Sequence, residues 1–239
     1  MIYIYDLGDG QVLNIPYAIW SMRNSMNSWS LGDSNWAKKG SDFVIGEKDL
    51  ALAKKLALAG TSHAKYRRKI IVNMDIRAPL YWWKQFDTYK IGTVCDSSST
   101  MHKIHDHKFT REDFSCEHLM EFKGGNVDGE TPMAQVNLDF LSPMGILDAT
   151  IKSLNESRRL YLETKDKKYW WQMIQTLPDS YYQFRSITLN YEVLHKIYSE
   201  RRAHKLDEWT IFCAWAEQLP YFDEIIWPEG SKEVYGDAD

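Results

Sequence analysis

Residues 69–103 read KIIVNMDIRAPLYWWKQFDTYKIGTVCDSSSTMHK, and this stretch carries most of the information about the fold. Apolar and polar side chains alternate at its start, which predicts a half-buried strand over residues 69–78. Pro79 then favours a helix over residues 80–90, because proline is well tolerated in the first helical turn. The small and polar residues 92–100 follow neither periodicity, so the sequence predicts a loop there.

Helical periodicity dominates the rest of the chain. Apolar residues at helical spacing predict helices at residues 17–26, 47–59, 144–164, 168–176, 181–202 and 206–219. A short strand is predicted within the opening MIYIY, whereas the polar stretches 27–46 and 106–135 are predicted to be irregular. Neither a repeat nor a linker divides the sequence. We therefore expect one α+β domain over residues 1–239, with a loose tail at about 230–239.

The composition is that of a folded chain with a large apolar core. Its 239 residues include 10 Trp, 14 Tyr and 9 Phe, with a net charge of −4. The many aromatic residues exclude an intrinsically disordered chain, and the presence of only 3 Cys excludes a small disulfide-rich protein. No apolar run approaches the length of a membrane span, no signal peptide is visible, and the charge balance does not favour duplex nucleic acid. We expect a cytoplasmic protein.

A histidine-rich stretch suggests one alternative, a metal-dependent enzyme. Its candidate ligands are His102, His105, His107, Cys116 and His118. Imidazole and thiolate groups bind zinc, and the spacing of His102 and His105 puts both on one helical face. A second tight pair of ligands is missing, so hydrogen-bonded or solvated histidines are the preferred interpretation and no metal is assigned. Cys213, on an apolar helix, is interpreted as a core residue.

Several short motifs occur in an order and at a separation that resemble the flavin-dependent thymidylate synthases. They are Arg23-Asn24-Ser25, Ala78-Pro79, the stretch 85–100, Leu177-Pro178, Thr188-x-Asn190, Arg202 and, seven residues later, Trp209. The resemblance covers most of residues 17–215. It implies an α+β fold with a small, mostly antiparallel sheet and long helices.

The resemblance also implies a function. Members of that family methylate dUMP reductively, with FAD as the bound flavin and with NADPH and methylene-tetrahydrofolate as co-substrates. They assemble as homotetramers whose subunits share the active sites. None of them needs a cysteine nucleophile, which agrees with the absence of a convincing one in this sequence.

The family's signature is degenerate in this chain. Its Gln falls on Gln85, and its Arg-His-Arg falls on Thr88, Tyr89 and Lys90. The catalytic residues implied by this match are Tyr89, Lys90 and Arg202. The implied flavin-binding residues are Ser25, Thr88, Tyr89, Lys90, Asp96 and Asn190. The implied nucleotide-binding residues are Gln85, Asp96, Ser97, Ser98, Ser99, Thr100 and Arg202.

The departures from the signature leave two hypotheses open. Thr88 and Thr100 replace arginines that hold phosphates in the family, and Glu192 occupies a position that is often basic there. Each lost charge-assisted hydrogen bond costs roughly 1.5–3 kcal/mol. Neighbouring cations and the serine cluster at residues 97–99 are the available substitutes. The chain is therefore either a divergent enzyme acting on dUMP or a related pyrimidine nucleotide, or a non-catalytic relative that binds a nucleotide or a protein.

Overall fold

The computed structural model describes residues 1–36, 43–121 and 142–231. The chain divides into two compact units. The first contains Met1 with residues 78–85 and 97–184, and the second contains residues 2–77, 86–96 and 185–239.

The strands form one larger sheet and one small hairpin. Their bounds are β1 Tyr3–Tyr5, β2 Val12–Leu13, β3 Asn35–Trp36, β4 Phe43–Val44, β5 Ile71–Pro79, β6 Val94–Ser97 and β7 Tyr182–Asn190. The larger sheet has the order β1-β5-β7-β6, and β2 also pairs with β5. Strands β3 and β4 pair with each other. The predicted strand at residues 69–78 is thus the central β5.

The larger sheet is mainly antiparallel, as the family resemblance implied. Strands β1 and β2 both run antiparallel to β5, with Val12 opposite Val72. On the other side of β5, Thr188 Oγ1 lies 2.8 Å from Asn73 Oδ1, and Tyr191 N donates to Ile70 O at 3.1 Å. As residue numbers rise along β7 they fall along β5, which is the antiparallel arrangement.

Helices hold more of the described residues than strands do. Their bounds are α1 Ile15–Ser21, α2 Glu47–Leu58, α3 Leu80–Phe86, α4 Pro143–Thr164, α5 Lys167–Thr176, α6 Tyr191–Arg201 and α7 Asp207–Ala216. Short 3-10 turns lie at Gly8–Gly10, Asn24–Met26, Trp29–Leu31, Lys65–Lys69 and Arg111–Asp113, and a π-helical turn lies at Phe222–Ile226. No helix in these described stretches is both long and apolar enough to cross a membrane.

Two segments differ from the sequence prediction. The helix predicted at residues 181–202 is a strand, β7, followed by the helix α6. Asn190 marks the change, because its backbone is extended and its side chain caps the helix. The loop predicted at residues 92–100 contains the exposed strand β6, which pairs with β7 at the end of the sheet. Backbone pairing at a sheet edge tolerates polar residues that carry no periodicity signal.

Three helices also end earlier than predicted. Helix α3 ends at Phe86 rather than at residue 90, α1 ends at Ser21 rather than at residue 26, and α7 ends at Ala216 rather than at residue 219. In each case a turn follows the helix. The expected loose tail falls largely on residues 232–239, which lie outside the described residues. Residues 122–135 of the polar stretch predicted at 106–135 also lie outside them.

Each unit has its own apolar core. In the first unit, Phe109, Leu154 and Met173 belong to one buried cluster, built largely on α4 and α5. In the second unit, one face of β5 is buried, and Trp209 and Phe212 of α7 are almost fully buried. Cys213 is buried as expected, and burial raises the pKa of its thiol to about 12.

Candidate functional site

A cleft of about 770 Å³ lies within the second unit. It is lined by the loop of residues 88–92, by Asn190 and α6 as far as Glu200, and by Thr61 and Arg68. Clefts of this size with apolar walls and a few convergent polar groups are typical of small-molecule sites. We call it the α6 cleft.

Tight packing of residues 88–92 on the start of α6 shapes one wall of the α6 cleft. Gly92 has φ +81°, and a β-carbon there would lie 3.0 Å from Asn190 Nδ2 and 3.1 Å from Val193 Cγ2. Asn190 Oδ1 accepts hydrogen bonds from the backbone N–H groups of Glu192 and Val193, both at 3.1 Å. Its carbonyl oxygen is therefore used for capping, and only the Nδ2 amide is left to donate to a ligand.

Three cations line the α6 cleft: Arg68, Lys90 and Lys196. All three side chains are exposed. Arg68 and Lys90 form no ion pair with any other described residue, whereas Lys196 Nζ lies 4.0 Å from Glu200 Oε1. Cations without a carboxylate partner can form charge-assisted hydrogen bonds with the phosphate of a ligand.

Tyr89 is a buried connection between the loop and α6. Its hydroxyl donates to Glu200 Oε2 at 2.7 Å and accepts from Arg201 Nε at 2.8 Å. Burial and the Glu200 hydrogen bond raise the pKa of this phenol well above its usual range. The phenol stays neutral, and its hydroxyl already has two hydrogen-bond partners. Tyr89 therefore joins the loop of residues 88–92 to the end of α6.

The α6 cleft brings together four of the residues implied by the family resemblance. These are Thr88, Tyr89, Lys90 and Asn190. Lys90 is the one among them with a free charged group.

Three further implied residues belong to the same unit without lining the α6 cleft: Ser25, Asp96 and Arg202. Ser25 is exposed in the 3-10 turn after α1, and Asp96 is exposed on β6. The guanidinium of Arg202 lies 4.6 Å over the Trp227 ring and donates to Ser199 O at 2.8 Å.

The remaining implied residues, Gln85 and 97–100, belong to the first unit. Two of the serine hydroxyls are engaged in local turns and strand pairing. Ser99 Oγ accepts from His102 N at 2.8 Å, and Ser98 Oγ accepts from Phe184 N at 3.3 Å. Their assignment to a phosphate stays a prediction.

Among the cleft residues that sequence reasoning missed are two cations, Arg68 and Lys196, and the buried His195. Lys196 lies one helical turn after Glu192, so a correct start for α6 would have placed both on one face. His195 is buried, and its Nδ1 donates to Ile226 O at 2.8 Å, because a carbonyl can only accept. Burial and the neighbouring charge of Arg67 lower the pKa of His195 to about 4, so its ring is neutral at pH 7.

The histidine-rich stretch lies in the first unit. His102 and His105 line a separate pocket of about 430 Å³ together with Lys165 and Trp170. Within residues 1–36, 43–121 and 142–231, no group of three or more His, Cys, Asp or Glu side chains is arranged to hold a metal ion.

Comparison with known proteins finds solved structures of similar fold. No protein-family model matches the sequence, and no curated protein matches it. The solved structure of thymidylate synthase X from Helicobacter pylori with FAD and dUMP has a TM-score of 0.60 at 15% identity, and the match covers 97% of this chain and 100% of that one. The UMP/dUMP methylase PolB from Streptomyces cacaoi, bound with 5-Br UMP, has a TM-score of 0.58 at 13% identity, covering 100% of this chain and 97% of that one. This chain therefore has the α+β fold of the flavin-dependent thymidylate synthases.

Proposed function

We propose that this protein is a divergent flavoenzyme that methylates dUMP or a related pyrimidine nucleotide. Methylene-tetrahydrofolate is its carbon donor, FAD its bound flavin and NADPH its reductant. When bound, the reduced flavin supplies the hydride that converts the transferred one-carbon unit into a methyl group. The chain's own residues bind and orient the reactants.

Two structural neighbours support the nucleotide as substrate. One is a thymidylate synthase solved with FAD and dUMP, and the other is a methylase of UMP and dUMP. Both match this chain over nearly its whole length, so the shared fold includes the segments that carry the degenerate signature.

The observation that carries the proposal is the convergence of residues 88–92 with Asn190 and α6 in one cleft. The sequence resemblance implied that Lys90 and Asn190 act together, although 100 positions separate them in the chain. In the structure both line the α6 cleft.

The chemistry of the α6 cleft fits a phosphate-bearing planar ligand such as a flavin or a nucleotide. Arg68, Lys90 and Lys196 supply positive charge for a phosphate, and Asn190 Nδ2 supplies a neutral donor. The planar guanidinium of Arg68 can bind a phosphate bidentately. Arg68 therefore supplies, from a different position in the chain, the positive charge that is lost where Thr88 replaces an arginine.

Tritium release tests the reaction itself. The protein is incubated with dUMP labelled with tritium at carbon 5, together with FAD, NADPH and methylene-tetrahydrofolate. Methylation replaces the hydrogen at carbon 5, so we expect tritium in water at a rate that falls in a Lys90→Met variant. The same assay is run with labelled UMP, and no release above a protein-free control with either nucleotide would contradict the proposed reaction.

One observation favours the alternative, a non-catalytic nucleotide-binding relative. Tyr89 occupies the place of a ring-contacting residue in the family, but its ring is only 5% exposed and its hydroxyl has two partners. It is therefore unavailable to stack on a ligand in this conformation. Thermal stabilisation by dUMP without added flavin, combined with no tritium release, would favour this alternative.

The proposal includes a homotetramer with shared sites. Light scattering coupled to size-exclusion chromatography measures the assembly directly. A mass near four times the 28.0 kDa chain is the expected result. A monomer at the concentrations used for activity would contradict this part of the proposal.

A further inference from the structure

The pocket of about 430 Å³ in the first unit collects basic and aromatic side chains. It lies between the corner that joins α4 to α5 and the turns of residues 102–105, and we call it the α4–α5 pocket. None of its lining residues is acidic, and none of them lines the α6 cleft. These lining residues are His102, His105, Tyr161, Lys165, Lys167 and Trp170.

Two hydrogen bonds fix the walls of the α4–α5 pocket against each other. Arg158 Nε, on α4, donates to His105 O at 2.9 Å, and Trp170 Nε1, on α5, donates to Met101 O at 3.0 Å. Both helices are thereby joined to the segment that carries His102 and His105. A pocket whose walls are already fixed needs little ordering when a ligand binds.

Lys165 and Lys167 bring two positive charges to the α4–α5 pocket. Neither lysine forms an ion pair with another described residue. Their ammonium groups lie over aromatic rings instead, because Lys165 Nζ is 5.8 Å from the centre of the Tyr161 ring and Lys167 Nζ is 5.9 Å from that of Trp170. Both rings line the pocket, so the two charges are held at its wall.

Carboxylates that neighbour the lining residues in sequence are already paired with other cations. They belong to the ion pairs Asp106–Lys103, Glu163–Arg159 and Asp166–Lys168, with N–O distances of 3.1, 2.8 and 3.0 Å. The charges of Lys165 and Lys167 therefore stay available to an anionic ligand. A phosphate is the anion that forms charge-assisted hydrogen bonds with several such donors at once.

His105 adds a hydrogen-bond donor to the α4–α5 pocket. Its Nδ1 is buried and has no hydrogen-bond partner among the described residues, and its Nε2 lies 3.7 Å from Asp106 Oδ1, beyond hydrogen-bonding distance. The side chain is 24% exposed, so Nε2 is the ring nitrogen through which it can reach a ligand. A neutral imidazole with its proton on Nε2 donates there.

We propose that the α4–α5 pocket is a ligand site in addition to the α6 cleft, and that it binds a small aromatic phosphate. Lys165, Lys167 and His105 hold the phosphate group. The ring of the ligand packs against Tyr161 and Trp170, which are half-buried at the wall of the pocket. A volume of about 430 Å³ accommodates a ring as well as a phosphate. The site does not depend on the proposed function.

Nuclear magnetic resonance of the histidine side chains tests the site on the intact protein. Phenyl phosphate, inorganic phosphate and sodium chloride are titrated separately at matched ionic strength and constant pH. The imidazole signals are assigned with His102→Asn and His105→Asn. These signals report on the α4–α5 pocket, whereas calorimetry would also detect phosphate bound by the cations of the α6 cleft. We expect both signals to shift saturably with phenyl phosphate, more weakly with inorganic phosphate, and not with chloride.

Lys165→Gly assigns the binding to the pocket without destabilising the fold. Lys165 follows the last residue of α4 with φ +56°, a left-handed conformation that glycine adopts without strain. The variant therefore removes the charge and should melt at the wild-type temperature or above it. We expect its dissociation constant for phenyl phosphate to rise by about three- to tenfold. The matched control is Lys152→Met, which changes an exposed lysine of α4 that does not line the pocket.

Each remaining outcome counts against the proposal. Imidazole signals that stay in place with phenyl phosphate, or that shift equally with chloride, overturn the site. Equal dissociation constants for phenyl phosphate and inorganic phosphate overturn the aromatic ligand. An unchanged dissociation constant in Lys165→Gly, or an equal rise in Lys152→Met, overturns the role of Lys165. The titrations of the unaltered protein decide the matter if Lys165→Gly does not fold.

Discussion

Gly92 lies against Asn190 so closely that a β-carbon on residue 92 would be 3.0 Å from Asn190 Nδ2. This contact joins the loop that carries Lys90 to the first turn of α6. It brings residues far apart in sequence into the wall of one cleft.

The first prediction concerns Gly92→Ala. Its φ of +81° disfavours any side chain, and the new methyl group would meet both Asn190 and Val193. Gly60→Ala is the matched control, since Gly60 has φ +94° but nothing within 4 Å of the added carbon. We expect Gly60→Ala to lower the free energy of unfolding by about 1–2 kcal/mol.

Urea unfolding should then show that Gly92→Ala costs about 1–3 kcal/mol more than Gly60→Ala, because a crowded contact is added to the backbone strain. Gly92→Ala should also weaken ligand binding in the cleft, whereas Gly60→Ala should not. Equal costs for the two variants would show that the close contact does not constrain the loop.

The second prediction concerns Lys90→Met. The substitution keeps the length of the side chain and removes an exposed charge that has no ion-pair partner among the described residues. We expect the dissociation constant for FAD to rise by about tenfold, with the midpoint of thermal unfolding nearly unchanged. Lys55→Met, on the exposed side of α2, is the control that removes the same charge away from the cleft. Similar effects of both variants on affinity would exclude a local role for Lys90.

The third prediction concerns pH and His195. Burial, with the charge of Arg67, lowers the pKa of His195 from 6.5 to about 4. In the unfolded chain this histidine binds a proton below pH 6.5, and in the folded chain only below about 4. The contribution to stability is fully present above 6.5 and is lost as the pH falls from 6.5 to about 4. The loss is about 3 kcal/mol.

His195→Asn tests this prediction, because Asn retains an N–H donor for Ile226 O and does not titrate. We expect the free energy of unfolding, measured at pH 7, 6 and 5 in urea, to fall less steeply in this variant than in the wild type. His63→Asn, which changes an exposed histidine, should keep the wild-type slope. A wild-type slope in His195→Asn as well would show that another group carries the pH dependence.

The fourth prediction concerns the buried ion pair of Arg23 and Asp49. Arg23 Nε donates to Asp49 Oδ1 at 2.6 Å, and Ser34 donates to the other oxygen through both its N and Oγ atoms. Burial raises the pKa of Asp49, but the hydrogen bonds from Ser34 and Arg23 outweigh it and hold the pKa below the usual range.

Asp49→Asn leaves a buried guanidinium without its counter-charge, so we expect a loss of about 3–5 kcal/mol in unfolding free energy. Glu47→Gln removes an exposed carboxylate from the same helical turn and should cost about 0.3–1 kcal/mol through the helix dipole. Calorimetric melting of both variants measures the difference. A loss of less than 1 kcal/mol in unfolding free energy for Asp49→Asn would contradict a stabilising role for the Arg23–Asp49 ion pair.

The sequence predicts those elements whose periodicity is long and unbroken. The alternation in residues 71–79 reflects one buried face of β5, and α4 and α5 follow regular apolar spacing between clear start and stop signals. Residues 181–202 show where this reasoning fails. Tyr182 to Asn190 contain β-branched and aromatic residues that favour a strand, but the helical pattern after Asn190 extends the prediction backwards.

The candidate site is less predictable for a physical reason. Lys90 and Asn190 were found through the family resemblance, which supplies their order along the chain. Arg68 has no local signal, because a surface arginine next to a buried one looks the same in the sequence whether or not a cleft adjoins it. Likewise, the buried state of Tyr89 depends on contacts with Glu200 and Arg201, more than 100 residues away.

Whether this chain is a flavoenzyme is decided by the flavin content of the purified protein after incubation with FAD and removal of the excess. We expect visible flavin absorbance close to one flavin per chain. NADPH should bleach this absorbance, and the flavin content should be lower in Lys90→Met but not in Lys55→Met. A colourless wild-type protein that takes up no flavin would contradict the claim that this chain is a flavoenzyme.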